Sequence, residues 1–137
     1  MIRATFIMSI VVCGTLATGA GCNGRVAQPV HRVTGRVTYA GRPIVSGQVL
    51  FTPDGRQGNS GPQGLATIND GRIDTRGTKA PGIRGGPMIV QVSGQLDAAG
   101  TRFVNHEFTQ DFPRDTPSEL VKDLDPREVP EREAVDF

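Results

Sequence analysis

The sequence predicts an all-β domain built as an antiparallel sandwich, and three observations carry that prediction. Apolar and polar residues alternate in short runs between residues 31 and 92. Turn-forming residues recur about every ten positions, and no stretch sustains the period of a long amphipathic helix. Six or seven short strands are expected, with an interior of Val, Ile, Leu and a few Phe.

Ahead of that domain, residues 1–21 read as a secretory leader. Arg3 is the only charged side chain before Cys22, and the apolar run ATFIMSIVVCGTL follows it and closes on the small residues ATGAG. A positive end, a short apolar middle and a slim cleavage region form the layout of a signal peptide. A membrane-spanning helix would need about 20 apolar residues. Ala20-Gly21-Cys22 resembles the end of the bacterial lipobox, in which small residues precede a cysteine that receives diacylglycerol before cleavage. The resemblance implies lipidation at Cys22 and a chain exported and anchored to a bacterial membrane, facing periplasm or cell surface. Ordinary cleavage nearby, leaving a free thiol, is the alternative. Cys13 would depart with the leader, so no internal disulfide can form.

From Cys22 onward about 115 residues remain, which is enough for one core. They carry 14 Lys plus Arg against 14 Asp plus Glu. A neutral chain has no electrostatic reason to seek nucleic acid. The charges are unevenly placed: residues 22–110 hold ten basic and five acidic side chains, residues 111–137 four and nine. Two readings follow, a solvated surface or an acidic C-terminal segment lying across a more basic body. Residues 22–30 form a short polar tether.

The expected elements run as follows. In HRVTGRVTYA, Val33, Gly35, Val37 and Tyr39 share one face of a strand and Thr34, Arg36 and Thr38 the other. After Gly41 and Pro43, SGQVLFTP carries Val49 and Phe51 on one face, and the two runs together read as a hairpin. The glycine-rich residues 54–64 lack the spacing and the lysine of a phosphate-binding loop, so a mobile surface loop is expected. LATINDGRIDT reads as a second, tighter hairpin around Asp70-Gly71, with Leu65, Ile68 and Ile73 as its apolar residues. Asp70 and Asp74 fit turn chemistry better than calcium, which asks for six to eight oxygens. Residues 76–87 are a basic loop with Arg76, Lys79 and Arg84 and no acid. MIVQVSG, nearly continuous in apolar residues, reads as a central strand, and TRFVNHEF as another. In DTPSELVKDLD, Thr116 as N-cap, Pro117 and Glu119 form a helix start, predicting a helix of about two turns over 117–124 with Leu120, Val121 and Leu124 on one face. EAVDF closes the chain as a last strand with Val135 and Phe137 inward.

Residues 33–53, VTGRVTYAGRPIVSGQVLFTP, resemble the opening of the carboxypeptidase-regulatory-like, transthyretin-like domains of small bacterial lipoproteins. Val33, Gly35 and Val37, then Gly41 and Pro43, then Gly47, Val49, Phe51 and Pro53 carry the match. NDGRIDT, GGPMIVQVSG and the final AVDF continue it, with Gly86-Pro87-Met88 where that family usually has an aromatic. The resemblance implies a seven-strand Greek-key sandwich over residues 31–137.

Such a fold hosts many functions, and no catalytic motif stands out. The favoured expectation is a non-catalytic module binding an envelope protein or glycan through Arg76, Lys79 and Arg84, with no cofactor and no metal, since loops on a rigid scaffold carry binding sites. A structural or adhesion domain is the second reading. A hydrolase is the third, with His31 and His106 as its only histidines. A self-forming Lys to Asn cross-link is not expected, because Lys79 and Lys122 are the only lysines and neither lies on an early strand.

Overall fold

The computed structural model describes residues 28–133, so Cys22, the leader and the closing strand expected at AVDF lie outside the described residues. Among the described residues nine strands follow one another: β1 (Val33–Tyr39), β2 (Arg42–Pro43), β3 (Ser46–Pro53), β4 (Gly64–Asn69), β5 (Arg72–Asp74), β6 (Gly86–Gln95), β7 (Arg102–Phe112), β8 (Ser118–Leu124) and β9 (Arg132–Glu133). They join in one sheet ordered β2-β1-β5-β4-β3-β6-β7-β9, with β8 added along β1, and the sheet curls into a half-barrel. All pairings are antiparallel except β1 with β8.

Alternation explains which residues fill the curl. Val33, Val37 and Tyr39 of β1, Val49 and Phe51 of β3, and Met88, Val90 and Val92 of β6 are buried, while Thr34, Arg36 and Thr38, Leu50, and Ile89 and Gln91 alternate with them and face outward. β6 is the central strand expected from its apolar run, paired with β3 on one edge and β7 on the other, and its pairing continues through Gly86-Pro87-Met88. Phe51 meets Phe112 edge to face, with centroids 5.7 Å apart. Across the mouth of the curl, Lys122 of β8 stands 4.8 Å from the centre of the Phe108 ring of β7, and His106 stacks on the same ring. The two limbs of the sheet thus touch through side chains.

Two expectations about local pairing are corrected. The runs around residues 33–39 and 46–53 do not form a hairpin with each other. β1 turns back only into the two residues of β2 and otherwise pairs with β5 and β8, whereas β3 pairs with β4 and β6. Buried Ile44 carries the chain from one limb to the other, where its side chain gains more by entering the core than by extending a hairpin. The Asp70-Gly71 hairpin does form. Both turn residues have positive φ, 49° and 77°, the left-handed pair that matches strand twist.

The second correction concerns residues 117–124, a strand rather than a helix. Ser118, Leu120 and Leu124 are buried and Glu119, Val121 and Asp123 are exposed, a period of two, with Val121 70% exposed. The same letters suit a short helix, but such a helix leaves the free edge of β1 unpaired. Pairing in parallel from Val33 with Ser118 to Tyr39 with Leu124 satisfies that edge instead. Gly35 is what lets β8 approach. A Cβ there would overlap the backbone of Leu120, and its φ of 151° is one that side chains rarely accept.

As far as it is described, through Glu133, the acidic C-terminal segment lies on the body. Thr38 Oγ1 donates to Asp123 Oδ1 at 2.7 Å, Tyr39 Oη donates to the Val129 carbonyl at 2.9 Å, and Arg102 pairs with Glu131. Burial, first of all, holds the Tyr39 phenol above its usual pKa, so it stays a donor.

The register also sorts the connections into two ends. At one, the loop end, lie residues 28–32, 54–63, 75–85 and 113–117; at the other lie the tight turns at 40–41 and 70–71 and residues 96–101. The loop over 54–64 is pinned rather than loose. Buried Asp54 caps a 3-10 turn at Gly55–Gln57, and buried Asn59 donates through Nδ2 to the carbonyls of Gly85 at 3.1 Å and Pro87 at 2.7 Å.

Gly35→Ala is expected to destabilise the protein by about 2 kcal/mol or more, because the new methyl displaces β8 and the backbone is strained. Hydrogen exchange is expected to speed most at residues 118–124. Unchanged urea midpoints and exchange would show that β8 does not depend on that bare position.

Candidate functional site

The outward positions of the β8-β1-β5 limb converge on a shallow trough of about 570 Å³. Thr34 and Arg36 come from β1, Arg72 and Asp74 from β5, Glu119 and Val121 from β8, and Arg32 from the residue before β1. Each is outward because its neighbours in sequence are the buried ones: Val33 and Val37, Ile73, Leu120.

Register then decides who meets whom. Thr34 lies opposite Asp74, and Arg36 lies opposite Arg72. On the other edge Arg36 lies opposite Val121 and Thr34 opposite Glu119. Arg32 and Asp74 form a two-pronged pair, with Nε to Oδ1 at 2.8 Å and a second contact from Nη2 to Oδ2. The Arg32 hydrogen bond, first, and the Arg76 backbone N–H, at 2.9 Å, hold the Asp74 carboxyl down at about 2 against its ordinary 3.8. Arg32 is thereby neutralised. Arg36 and Arg72, both exposed, have no ion-pair partner among the described residues. Like charges directly opposite across a strand pair repel, so this pair favours an anion placed between them. Two guanidiniums offer planar forks that fit carboxylate, sulfate or phosphate oxygens.

The three basic residues expected to bind are not brought together. Arg76 sits beside Asp74 at the rim of the trough, where its charge adds to that of Arg36 and Arg72. Lys79 is exposed and lines neither the trough nor the pocket that holds Arg84. Arg84 is half-buried in a different pocket, with Gln28, Pro29, Arg114 and Asp115. The loop separates them because it is tied down at several points: Thr78 Oγ1 lies 2.8 Å from the carbonyl oxygens of both Leu65 and Thr75 and shares its one proton between them, and His31 and Ile83 exchange backbone hydrogen bonds. Arg36, Arg72 and Arg114 were not legible as site residues. Their alternation marks Arg36 as outward, but only the β1 to β5 register sets it against Arg72.

His31 lies in the bridge to Ile83, and His106 sits opposite Val92 on β7, stacked on Phe108 at 5.8 Å; no hydrogen bond joins the two histidines. Among the described residues, no group of three or more His, Cys, Asp or Glu side chains is placed to hold a metal ion, and no helix is long and apolar enough to cross a membrane. Compared with family models, with characterised proteins and with solved structures, the chain matches none.

The Asp74 shift sets a pH dependence with a definite sign. A carboxyl held below its unfolded value contributes stability that is present above about pH 4 and lost as pH falls toward the folded value of about 2. Both side chains are more than a third exposed, at 39% and 38%, so the contribution is small and screened by salt. The stability difference between the native chain and Asp74→Asn is expected to shrink between pH 5 and pH 2 and to narrow in 1 M salt. A carboxyl carbon of Asp74 titrating near 3.8 by NMR would contradict the pairing.

Proposed function

We propose that the chain is an exported lipoprotein, anchored to a bacterial membrane through Cys22, whose domain is a non-catalytic seven-strand Greek-key module of the carboxypeptidase-regulatory-like, transthyretin-like kind. Its role in this reading is to bind an acidic glycan of the cell envelope. The observation that carries the binding role is the unpaired Arg36 and Arg72 face to face on the outer limb, with Arg76 at the rim. An open trough on a sheet face suits an extended polymer better than a small molecule, which is usually enclosed. Thr34 and Glu119 add a hydroxyl and an acceptor for sugar hydroxyls, and exposed Val121 adds an apolar contact for a ring face. The lipobox-like Ala20-Gly21-Cys22 and the leader before it support the anchor.

The anchor is tested by mass spectrometry of the N-terminal peptide, in which acyl mass on Cys22 is expected. In Cys22→Ser the protein should remain uncleaved or lose its membrane attachment. A peptide beginning at Cys22 without acyl mass would remove the anchor.

For the sheet face, the double variant Arg36→Gln, Arg72→Gln is expected to weaken retention on immobilised polygalacturonate by about tenfold or more, since charge-assisted hydrogen bonds are lost. Its melting temperature should hold or rise slightly, because the repulsion between the two goes too. Equal retention of both proteins would place the binding elsewhere, and retention of an acidic peptide but not of the polysaccharide would make the partner a protein.

A further inference from the structure

At the loop end, away from the sheet-face trough, two further guanidiniums share a hollow. Arg84, in the loop before β6, and Arg114, just after β7, line a pocket of about 300 Å³ with Gln28, Pro29 and Asp115. The Nε of Arg84 is buried and has no acceptor among the described residues. Protein covers that Nε, on the side of Gly61, whereas the Nη groups of Arg84 are neither buried nor hydrogen-bonded among the described residues, so they are what the guanidinium offers an anion in the hollow. Arg114 is held close by a bare backbone, since a Cβ on Gly86 would come within 2.6 Å of its Nη2. Asn59 braces the floor beneath, through its hydrogen bonds to Gly85 and Pro87. Asp115 is the one acid of the pocket and pairs with neither arginine, leaving two positive groups against one negative.

The pocket's size and its two forks suit a tetrahedral oxyanion, which accepts from both guanidiniums at once. Its position suggests where that oxyanion comes from. Gln28 lines the pocket and is six residues from Cys22, so the chain between them spans at most roughly 20 Å. A domain tethered so briefly holds its loop end against the headgroup layer. We propose that Arg84 and Arg114 bind a phosphate oxyanion supplied by phospholipid headgroups beneath the domain; the oxyanion site stands by itself, and its lipid source rests on anchoring at Cys22.

The full chain in a non-ionic detergent is titrated with inorganic phosphate and, separately, with glycerophosphoglycerol, a headgroup diester without acyl chains. The arginine Nε–Hε signals are followed by NMR, and the N-terminal mass is read on the same sample. A saturable displacement of the Arg84 signal by the diester is expected, weakened about tenfold in Arg114→Gln and unchanged in Arg36→Gln. Arg84→Lys, which keeps the charge but loses the fork, should weaken it as well. Saturation by phosphate alone would overturn the lipid source while upholding the oxyanion site. No saturable displacement by either probe, or full affinity in both Arg114→Gln and Arg84→Lys, would overturn the site, whether or not the N-terminal peptide carries acyl mass.

Discussion

β1 has to be paired along both of its edges, and that requirement organises the rest of the molecule. A strand with Val33 and Val37 fully buried cannot leave its N–H and C=O groups in an apolar interior without partners. β5 and β2 divide one edge between them, and β8 covers the other over the whole length of the strand. The covering strand comes from far along the chain, so the fold closes only when the acidic C-terminal segment arrives. Leu120 and Leu124 then seal one limb of the curl, and Tyr39 anchors the following turn through the Val129 carbonyl.

The same pairing creates the outer surface. Setting β5 and β8 on either side of β1 brings Arg36 against Arg72 and Val121, and Thr34 against Asp74 and Glu119. One basic residue in that group is cancelled by Asp74 and the others are not. A curled sheet of this kind therefore carries its charge on a lateral face, while the loops, including the one with Arg84, gather at the end where residues 28–32 lead into β1. Lateral face and loop end look in different directions.

Much of the fold was legible because alternation is local. β1, β3, β4, β5, β6 and β7 all fall on runs whose apolar residues recur every second position or nearly so, and Asp70-Gly71 announces its own turn. β8 was not legible. Ser118, Leu120 and Leu124 fit a strand, but Leu120, Val121 and Leu124 fit a helix behind Thr116 and Pro117 equally well, and seven residues cannot separate the two periods. Pairing partners were not legible either, since β1 and β3 look like a hairpin until Ile44 is seen to enter the core.

The sequence by itself determined that the domain is all-β, which faces of its strands are apolar, where its tightest turn lies, and that no disulfide serves its interior. Tertiary structure alone decided that the C-terminal segment pairs in parallel with β1, that Arg36 faces Arg72, and that Arg76 and Arg84 part company across one loop. The physical reason is range. Alternation and turn chemistry act between neighbours in the chain, whereas edge pairing and charge proximity act between residues such as Val33 and Ser118 that only the closed sheet brings side by side.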